Sequence, residues 1–180
     1  FDNIDHDLLM RALRKHTDCI WILLYTQRWL EAPVQLPDGS LKAREKGTPQ
    51  GAVISPLKAN LFLHYAFDLW MQRRCSTVRF ERFADDVIFL CISKTQAQWL
   101  LDATIKRMAE CKLELNNEKT KIVYCKDANR PGSYPNEKFD FLGFTFRPRL
   151  SKNRNGTFYA RFSPAVSRDV NNSIRQTMRS

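Results

Sequence analysis

The chain has 180 residues, enough to bury a substantial core, and its length alone predicts one domain. Its 29 basic and 19 acidic residues give a net charge of +10, which favours an anionic partner. No segment approaches the apolar length of a membrane span, the first residues are not a signal peptide, and the 5 cysteines lack zinc-site spacing. We therefore expect an intracellular protein with reduced thiols, located in a bacterial cytoplasm or an organelle.

The first part of the chain predicts two helices and a hairpin. Asp5 is expected to be the N-cap of a helix that begins near His6. The buried side of this helix is expected to comprise Leu8, Leu9, Ala12 and Leu13. Thr17-Asp18 is expected to cap a second helix. The turn signal Pro37-Asp38-Gly39-Ser40 separates two short strand-like runs and indicates a hairpin that leads to Gly47.

A loop and a helix are expected next. The sequence Gly47-Thr48-Pro49-Gln50-Gly51 has two glycines and a proline, which permit a fixed turn and a close approach of backbone to a ligand. Ser55 is expected to be the N-cap of the helix, with Pro56 at its first position. A broad buried face is expected from Leu57, Leu61, Phe62, Tyr65, Phe67, Leu69 and Trp70.

Two adjacent carboxylates, Asp85 and Asp86, lie between runs rich in β-branched and aromatic residues at 77–83 and 87–92. They are therefore expected at the tip of a hairpin. Apolar flanks favour a buried hairpin, in which two anions repel each other and lose hydration unless cations neutralise them. Two Mg²⁺ ions about 4 Å apart would do so, because Mg²⁺ prefers oxygen ligands. The alternative is a solvent-facing turn, where aspartate is common.

The next segments predict a helix, two strands and a loop. Thr95 is expected to cap the helix, whose inner face carries Ala97, Leu101, Ile105 and Met108. Strand-like runs at 113–115 and 121–124 surround Asn116-Asn117. Residues 126–136 are polar, with two prolines and a glycine, and are expected to form an exposed loop.

The last segments predict a strand, a turn and a helix. Residues 139–146 favour a strand, and Asn155-Gly156 favours a turn into a strand-like run at 157–162. Ser163-Pro164 is expected to cap a basic helix. Its apolar residues at helical spacing are Val166, Val170, Ile174 and Met178.

Five motifs follow one another along the chain. They are Phe1-Asp2-Asn3-Ile4-Asp5-His6, the loop and helix at 47–61, Phe83-Ala84-Asp85-Asp86, Leu113-Glu114-Leu115-Asn116-Asn117-Glu118-Lys119-Thr120-Lys121, and Phe139-Asp140-Phe141-Leu142-Gly143-Phe144. In this order they resemble the palm of a reverse transcriptase, specifically that of group II intron-encoded proteins. The fifth resembles the hairpin that grips the primer, and its Phe-Leu-Gly-Phe form indicates group II introns over retroviral enzymes.

The resemblance implies an α+β fold with a reverse-transcriptase-like palm over residues 1–162, built from an antiparallel sheet with helices packed on one face. Residues 163–180 would begin the thumb or maturase domain. The implied function is an RNA-directed DNA polymerase that transfers nucleotides with two Mg²⁺ ions, combined with a maturase role in splicing. The implied partners are an RNA template, intron RNA, a DNA primer and deoxynucleoside triphosphates, with no membrane.

The resemblance also implies roles for particular residues. Asp85 would be the main ligand shared by the metals, and Asp86 a weaker or indirect one. Phe1 falls where the family keeps the aromatic that packs under the nucleotide sugar and excludes a 2′ hydroxyl. Gln50 and the Gly51 backbone would lie beside the incoming nucleotide and the template.

Lys119 would steady or protonate the pyrophosphate, although a lysine in a turn is usually only solvated. Phe83 stands where most of the family has tyrosine, and its ring is expected to pack without the hydroxyl. The metal-binding aspartate of the first motif would fall upstream of Phe1, and neither Asp2 nor Asp5 has the spacing to replace it. Residues 1–180 are therefore expected to fold and to bind RNA in a salt-sensitive way, but not to polymerise alone.

Two other functions remain open. An RNA-binding maturase module without polymerase activity suits the basic surface equally well, although such a module has no use for buried paired anions. Another bacterial reverse transcriptase, from a retron or a diversity-generating element, is the second alternative. Sequence on either side of residues 1–180 would distinguish them.

Overall fold

The computed structural model describes residues 2–48, 53–130 and 132–178. The helices in these residues are α1 (His6–Leu13), α2 (Ile20–Glu31), α3 (Ser55–Leu63), α4 (Leu69–Arg74), α5 (Lys94–Glu110) and α6 (Arg168–Thr177), with a π-helical turn at His64–Asp68. The strands are β1 (Val34–Gln35), β2 (Leu41–Lys42), β3 (Arg79–Phe83), β4 (Asp86–Leu90), β5 (Phe139–Phe141), β6 (Phe144–Lys152) and β7 (Phe158–Val166). Over the described residues, every helix is too short or too polar to cross a bilayer.

The chain divides into two compact units, Phe1–Asn116 and Asn117–Ser180. The first contains α1 to α5 with the hairpins β1–β2 and β3–β4, and the second contains the sheet β5-β6-β7 with α6. All of these strand pairs are antiparallel. Helices mixed with small antiparallel sheets agree with the expected α+β class. In the described residues the strands form three separate sheets, whereas one sheet was expected.

The core of the first unit consists of two clusters of buried side chains. One joins α1, α2 and α3 through Ile4, Leu9, Met10, Leu30, Ala59, Phe62, Ala66 and Cys111. The other lies under the β3–β4 hairpin and comprises Phe67, Met71, Cys75, Val78, Leu100 and Met108. The Phe67 ring lies 5.4 Å from the Phe80 ring and 5.8 Å from the Phe89 ring, measured between centroids. These contacts fix the base of the hairpin on the helices beneath it.

Helix starts were only partly predicted. Asp5 is the N-cap of α1 as expected, because its Oδ1 accepts a 2.9 Å hydrogen bond from the Leu8 amide. The cap of α2 is Cys19, which makes no side-chain cap bond, so the prediction of Thr17-Asp18 was wrong. The Thr17 hydroxyl instead accepts from the Cys19 amide in the connecting turn.

The three serine and threonine caps expected further on were also wrong. Ser55 is the first residue of α3, and Ile54 occupies the cap position without a side-chain bond. The cap of α5 is Ser93 instead of Thr95, and its hydroxyl accepts from the Gln96 amide. The cap of α6 is Ser167, because strand β7 continues through the expected Ser163-Pro164 start and ends at Val166.

The apolar faces of two helices differ from the expected ones. Leu57, expected on the buried face, is 67% exposed, whereas the expected Phe62 is buried together with Ala59, which was not expected. The π-helical turn after α3 interrupts the helical repeat, so one straight stripe cannot describe the segment. On α5, Ile105 is 47% exposed, and the buried residues are Leu100, Thr104 and Met108.

The strands expected after α5 also differ in extent. Residues 113–115 and 121–124, expected as strands, have no strand structure, because no ladder pairs with them. The expected strand over 139–146 is a hairpin of β5 and β6, with Gly143 at a φ of +79° in its turn. The turn at Asn155-Gly156 is confirmed, with Gly156 at a φ of +84°, and it joins the long hairpin β6–β7. The expected loop at 126–136 is confirmed as irregular chain in its described part.

Candidate functional site

The two adjacent aspartates lie at the tip of the β3–β4 hairpin, as predicted. Phe83 pairs with Asp86, so Ala84 and Asp85 form a two-residue turn and Asp86 is the first residue of β4. Ala84 has a φ of +51°, and a positive φ at the first central residue is the signature of a type II′ hairpin turn. This turn keeps the right-handed twist of the strands and presents consecutive carboxylates at one end of the hairpin.

The carboxylates at this tip are exposed, so the prediction of a buried hairpin was wrong at its end. Neither Asp85 nor Asp86 has a hydrogen-bond or ion-pair partner among residues 2–48, 53–130 and 132–178. The expected packing of the Phe83 ring was also wrong, since this residue is 60% exposed. The apolar contacts of the hairpin lie nearer its base, at Phe80 and Phe89, and the turn extends beyond them.

Arg82 anchors the turn to the helical segment that packs against the hairpin. The Arg82 guanidinium donates to both carboxylate oxygens of Asp68, at 2.7 and 2.6 Å, and to Asn60 Oδ1 at 2.9 Å. It also donates to the carbonyl oxygen of Ala84, inside the turn, at 2.8 Å. The Arg82 and Asp68 side chains are only 12% and 17% exposed, so water screens this ion pair little. The helical segment that carries Asn60 and Asp68 therefore holds the aspartate turn in one position.

Carboxylate oxygens without protein partners are the donor type that Mg²⁺ prefers, and Mg²⁺ commonly uses one or two carboxylates together with water and phosphate oxygens. Asp85 and Asp86 fit such an ion by the chemistry of their donors. Among the described residues, no group of three His, Cys, Asp or Glu side chains is placed to hold a metal. The two aspartates alone therefore supply a partial coordination sphere.

A second set of contacts joins the first motif to the second. The Gly47 amide donates to the Ile4 carbonyl at 2.7 Å, and His6 Nε2 lies 2.7 Å from the Gly47 carbonyl oxygen. Gly47 has a φ of +82°, and a Cβ there would lie 2.6 Å from the Asp2 carbonyl oxygen. Only glycine satisfies both conditions. Gly47 thus lies close to the backbone of the first motif, and the expected close approach of this loop to a ligand stays a prediction.

The remaining predicted residues are placed as follows. Phe1, Gln50 and Gly51 lie outside the described residues. Lys119 is exposed in a turn at 117–119, within the second unit, whereas Asp85 and Asp86 belong to the first. The roles expected of these residues stay predictions.

Sequence reasoning missed Arg82, Asp68 and Asn60. A weak signal was present for Asp68 alone, because an aspartate in an apolar helical segment is costly to bury unless it pairs. Asp68 lies between the buried Phe67 and the buried Met71 in the helical segment, and Arg82 precedes the turn by two residues. Strand β3 also carries Arg79, so the sequence indicates that Asp68 needs a cation but not which one.

Comparison with known proteins gives two findings. Residues 1–146 match the family described as "Reverse transcriptase (RNA-dependent DNA polymerase)". Protein YkfC of Escherichia coli (strain K12) is 30% identical over 162 residues, a match that covers 71% of this chain and 42% of that protein. The chain thus spans less than half the length of this curated relative.

Proposed function

The chain belongs to the reverse transcriptase (RNA-dependent DNA polymerase) family, and we propose that the full-length protein is an RNA-directed DNA polymerase of a group II intron. The observation that carries the proposal is the pair of carboxylates at the anchored β3–β4 turn, which lies within the matched residues. Among the described residues these carboxylates have no hydrogen-bond or ion-pair partner. The group II assignment is supported by Phe141-Leu142-Gly143-Phe144 in the β5–β6 hairpin.

The proposed reaction joins the primer 3′ hydroxyl to the α-phosphate of a deoxynucleoside triphosphate and releases pyrophosphate. Asp85 would be the main metal ligand and Asp86 a weaker one. When bound, two Mg²⁺ ions would activate the hydroxyl and neutralise charge on the leaving group. Arg82 would keep the Ala84-Asp85 turn in place, so that the carboxylates need little reorganisation.

The proposed substrate contacts lie outside the hairpin. Phe1 would pack under the sugar of the incoming nucleotide, and Gln50 and Gly51 would lie beside the nucleotide and the template. Lys119 would contact the pyrophosphate. The RNA template, the DNA primer and the intron RNA are the proposed partners. A maturase role is supported by the positive charge of the second unit, where 13 basic residues face 5 acidic ones.

The test is primer extension by the full-length protein on an RNA template with Mg²⁺. We expect Asp85→Ala to lower the rate by at least about 10²–10³-fold, because the variant removes a ligand from the charged site. RNA binding, measured on the same protein by filter retention, should stay within a factor of about two because the basic surface is unchanged.

The matched control is Glu81→Ala. Glu81 is an exposed acid on β3 of the same hairpin, so this variant removes one carboxylate from the element without touching the tip. It should extend primers like wild type. Wild-type extension by Asp85→Ala, or equal losses in the two variants, would contradict the assignment of the tip.

A further inference from the structure

The long β6–β7 hairpin of the second unit has two chemically different faces. Residues opposite each other in an antiparallel pair lie on the same face, and every second residue along a strand returns to that face. The register pairs Arg147 with Ser163, Arg149 with Arg161, and Ser151 with Tyr159. These six residues form what we call the arginine face. The pairs that alternate with them form the other face, which is apolar except for Lys152 and includes Phe146 with Pro164 and Pro148 with Phe162.

The six residues of the arginine face carry three positive charges and no carboxylate. The carboxylate of Asp140 on β5 lies beside them, opposite Thr145, and accepts from the Thr145 hydroxyl. Arg149 and Arg161 are directly opposed, and like charges in that position destabilise a sheet. Arg149 is half-buried and donates to the carbonyl oxygens of Ser163 and Thr145, at 3.4 Å each. Arg147 and Arg161 are exposed and have no hydrogen-bond or ion-pair partner in the part of the chain that the structure describes. An anion held between these cations would relieve the repulsion.

A cleft of about 370 Å³ adjoins this face at the edge of the sheet. It lies between the turn at Asp127–Arg130 and strand β7, and the Ala128 amide binds the Ala160 carbonyl at 2.9 Å. Arg130 is engaged by Asp127 through two of its nitrogens, and this bonding lowers the pKa of Asp127. The cleft therefore keeps Arg161 as a cation without a carboxylate partner, with the Tyr159 ring on the same strand.

We propose that the arginine face and its cleft bind a nucleic-acid strand, with backbone phosphates on Arg147, Arg149 and Arg161 and one base against the ring of Tyr159. Arginine matches phosphate geometry through two parallel hydrogen bonds, and exposed aromatic rings stack on bases regardless of sequence. The inference rests on the proposed function, in which the protein binds two polyanions, a template and a primer. The surface lies entirely within the second unit and is distinct from the Asp85-Asp86 turn of the first.

The experiment measures binding of the full-length protein to a labelled single strand, once as RNA and once as DNA of the same sequence, between 50 and roughly 300 mM salt. Arg147→Gln/Arg161→Gln should weaken binding at least about tenfold and reduce the slope of log affinity against log salt by about 1.4, at 0.7 per phosphate contact. Arg147→Lys/Arg161→Lys keeps the charge, so this variant should retain most of the affinity and most of the salt slope. The strand that loses more affinity identifies the natural ligand of the face.

The matched control is Arg73→Gln/Arg74→Gln, which removes the same charge from two exposed arginines at the end of α4 in the first unit. It should leave affinity within about threefold of wild type and the slope unchanged. Equal losses in the two double variants would overturn the proposal, because only the total charge would then matter.

A second variant tests the base contact. Tyr159→Leu keeps an apolar side chain but removes the stacking ring, and it should weaken binding of the labelled strand about fivefold or more while leaving binding of inorganic polyphosphate unchanged. Equal effects on both probes would overturn the base contact. Primer extension by Asp85→Ala is scored separately, so failure of the arginine face and failure of the polymerase assignment give different results.

Discussion

At the scale of single residues, the contacts of Arg82 explain how an exposed turn keeps two like charges next to each other. A positive φ is unfavourable for a residue with a Cβ, and Ala84 has a φ of +51°. The guanidinium of Arg82 holds the Ala84 carbonyl and is itself held by Asp68. Strain in the turn is therefore offset by a bond from the strand that precedes it.

Loss of the same arginine should destabilise the fold. Arg82→Ala leaves the poorly exposed Asp68 without its cation and should lower the free energy of unfolding by roughly 3 kcal/mol, the lower end of what breaking a buried ion pair costs. Urea unfolding would measure it. Arg79→Ala, at an exposed position on the same strand, is the control and should cost less than about 0.5 kcal/mol. Similar losses in both variants would show that the Asp68 contact is not specific.

At the scale of elements, the start of α1 ties distant segments together. Asp5 caps the helix, and its other oxygen accepts from Lys112 Nζ at 2.6 Å, just beyond the end of α5. An antiparallel bridge also links Asp5 to Lys46 beside the Gly47 loop. The carboxylate of Asp5 therefore joins the start of α1 to the end of α5, and the Asp5 backbone joins it to the segment beside the Gly47 loop.

The pH dependence of stability should report this carboxylate. The hydrogen bond from Lys112 lowers the pKa of Asp5 below its ordinary 3.8. Its stabilisation is therefore complete above that value and is lost as pH falls through the lower pKa of the folded state. Asp5→Asn keeps a cap acceptor without the charge, so the wild type should be more stable at pH 6, and the difference should shrink below about pH 4.

Two further variants complete this test. Lys112→Gln should lose the same pH-dependent part of the free energy of unfolding, because it removes the charge that pairs with Asp5. Asp5→Ala should cost about 1 kcal/mol more than Asp5→Asn at every pH, because it also removes the cap. Urea unfolding at pH 6, 5, 4 and roughly 3 would measure all three, and a pH-independent difference between Asp5→Asn and wild type would contradict the role of the charge.

Elements with a local signal were the ones that sequence could predict. The Asp5 cap, the Asn155-Gly156 turn and the aspartate hairpin each depend on residues within a few positions of one another. Ser163-Pro164 carries an equally good helix-start signal, yet Pro164 pairs with Phe146 on the edge strand β7, where a missing amide is tolerated. Residues 113–115 have strand composition but no partner, and composition does not supply one.

The candidate site could also be predicted only in part. The position of Asp85 and Asp86 at a hairpin tip follows from the two flanking runs. Their exposure and their anchor do not, because Arg82 reaches Asp68 and Asn60 across 14 and 22 residues of sequence. Nothing local marks which charge in one element meets which acceptor in another.

At the scale of the whole molecule, charge and burial are distributed unequally. The first unit has 16 basic and 14 acidic residues, whereas the second has 13 basic and 5 acidic residues in a shorter chain. In the part of the chain that the structure describes, every buried apolar side chain lies between Ile4 and Cys111. The second unit thus combines most of the net charge with little buried apolar surface.

Amide hydrogen exchange on the full-length protein would test this difference. Without nucleic acid, amides of 144–166 should exchange at least about tenfold faster than those of α5, because opening the β6–β7 hairpin exposes less apolar surface than opening α5, which buries Leu100 and Met108. A saturating single-stranded RNA should slow exchange over 144–166 and leave α5 unchanged, since a ligand that binds only the folded form stabilises it.

With Arg147→Gln/Arg161→Gln the same RNA concentration should give markedly less protection. Exchange over 144–166 as slow as in α5 before RNA is added would contradict the unequal stability, and protection confined to the first unit would contradict binding at the hairpin.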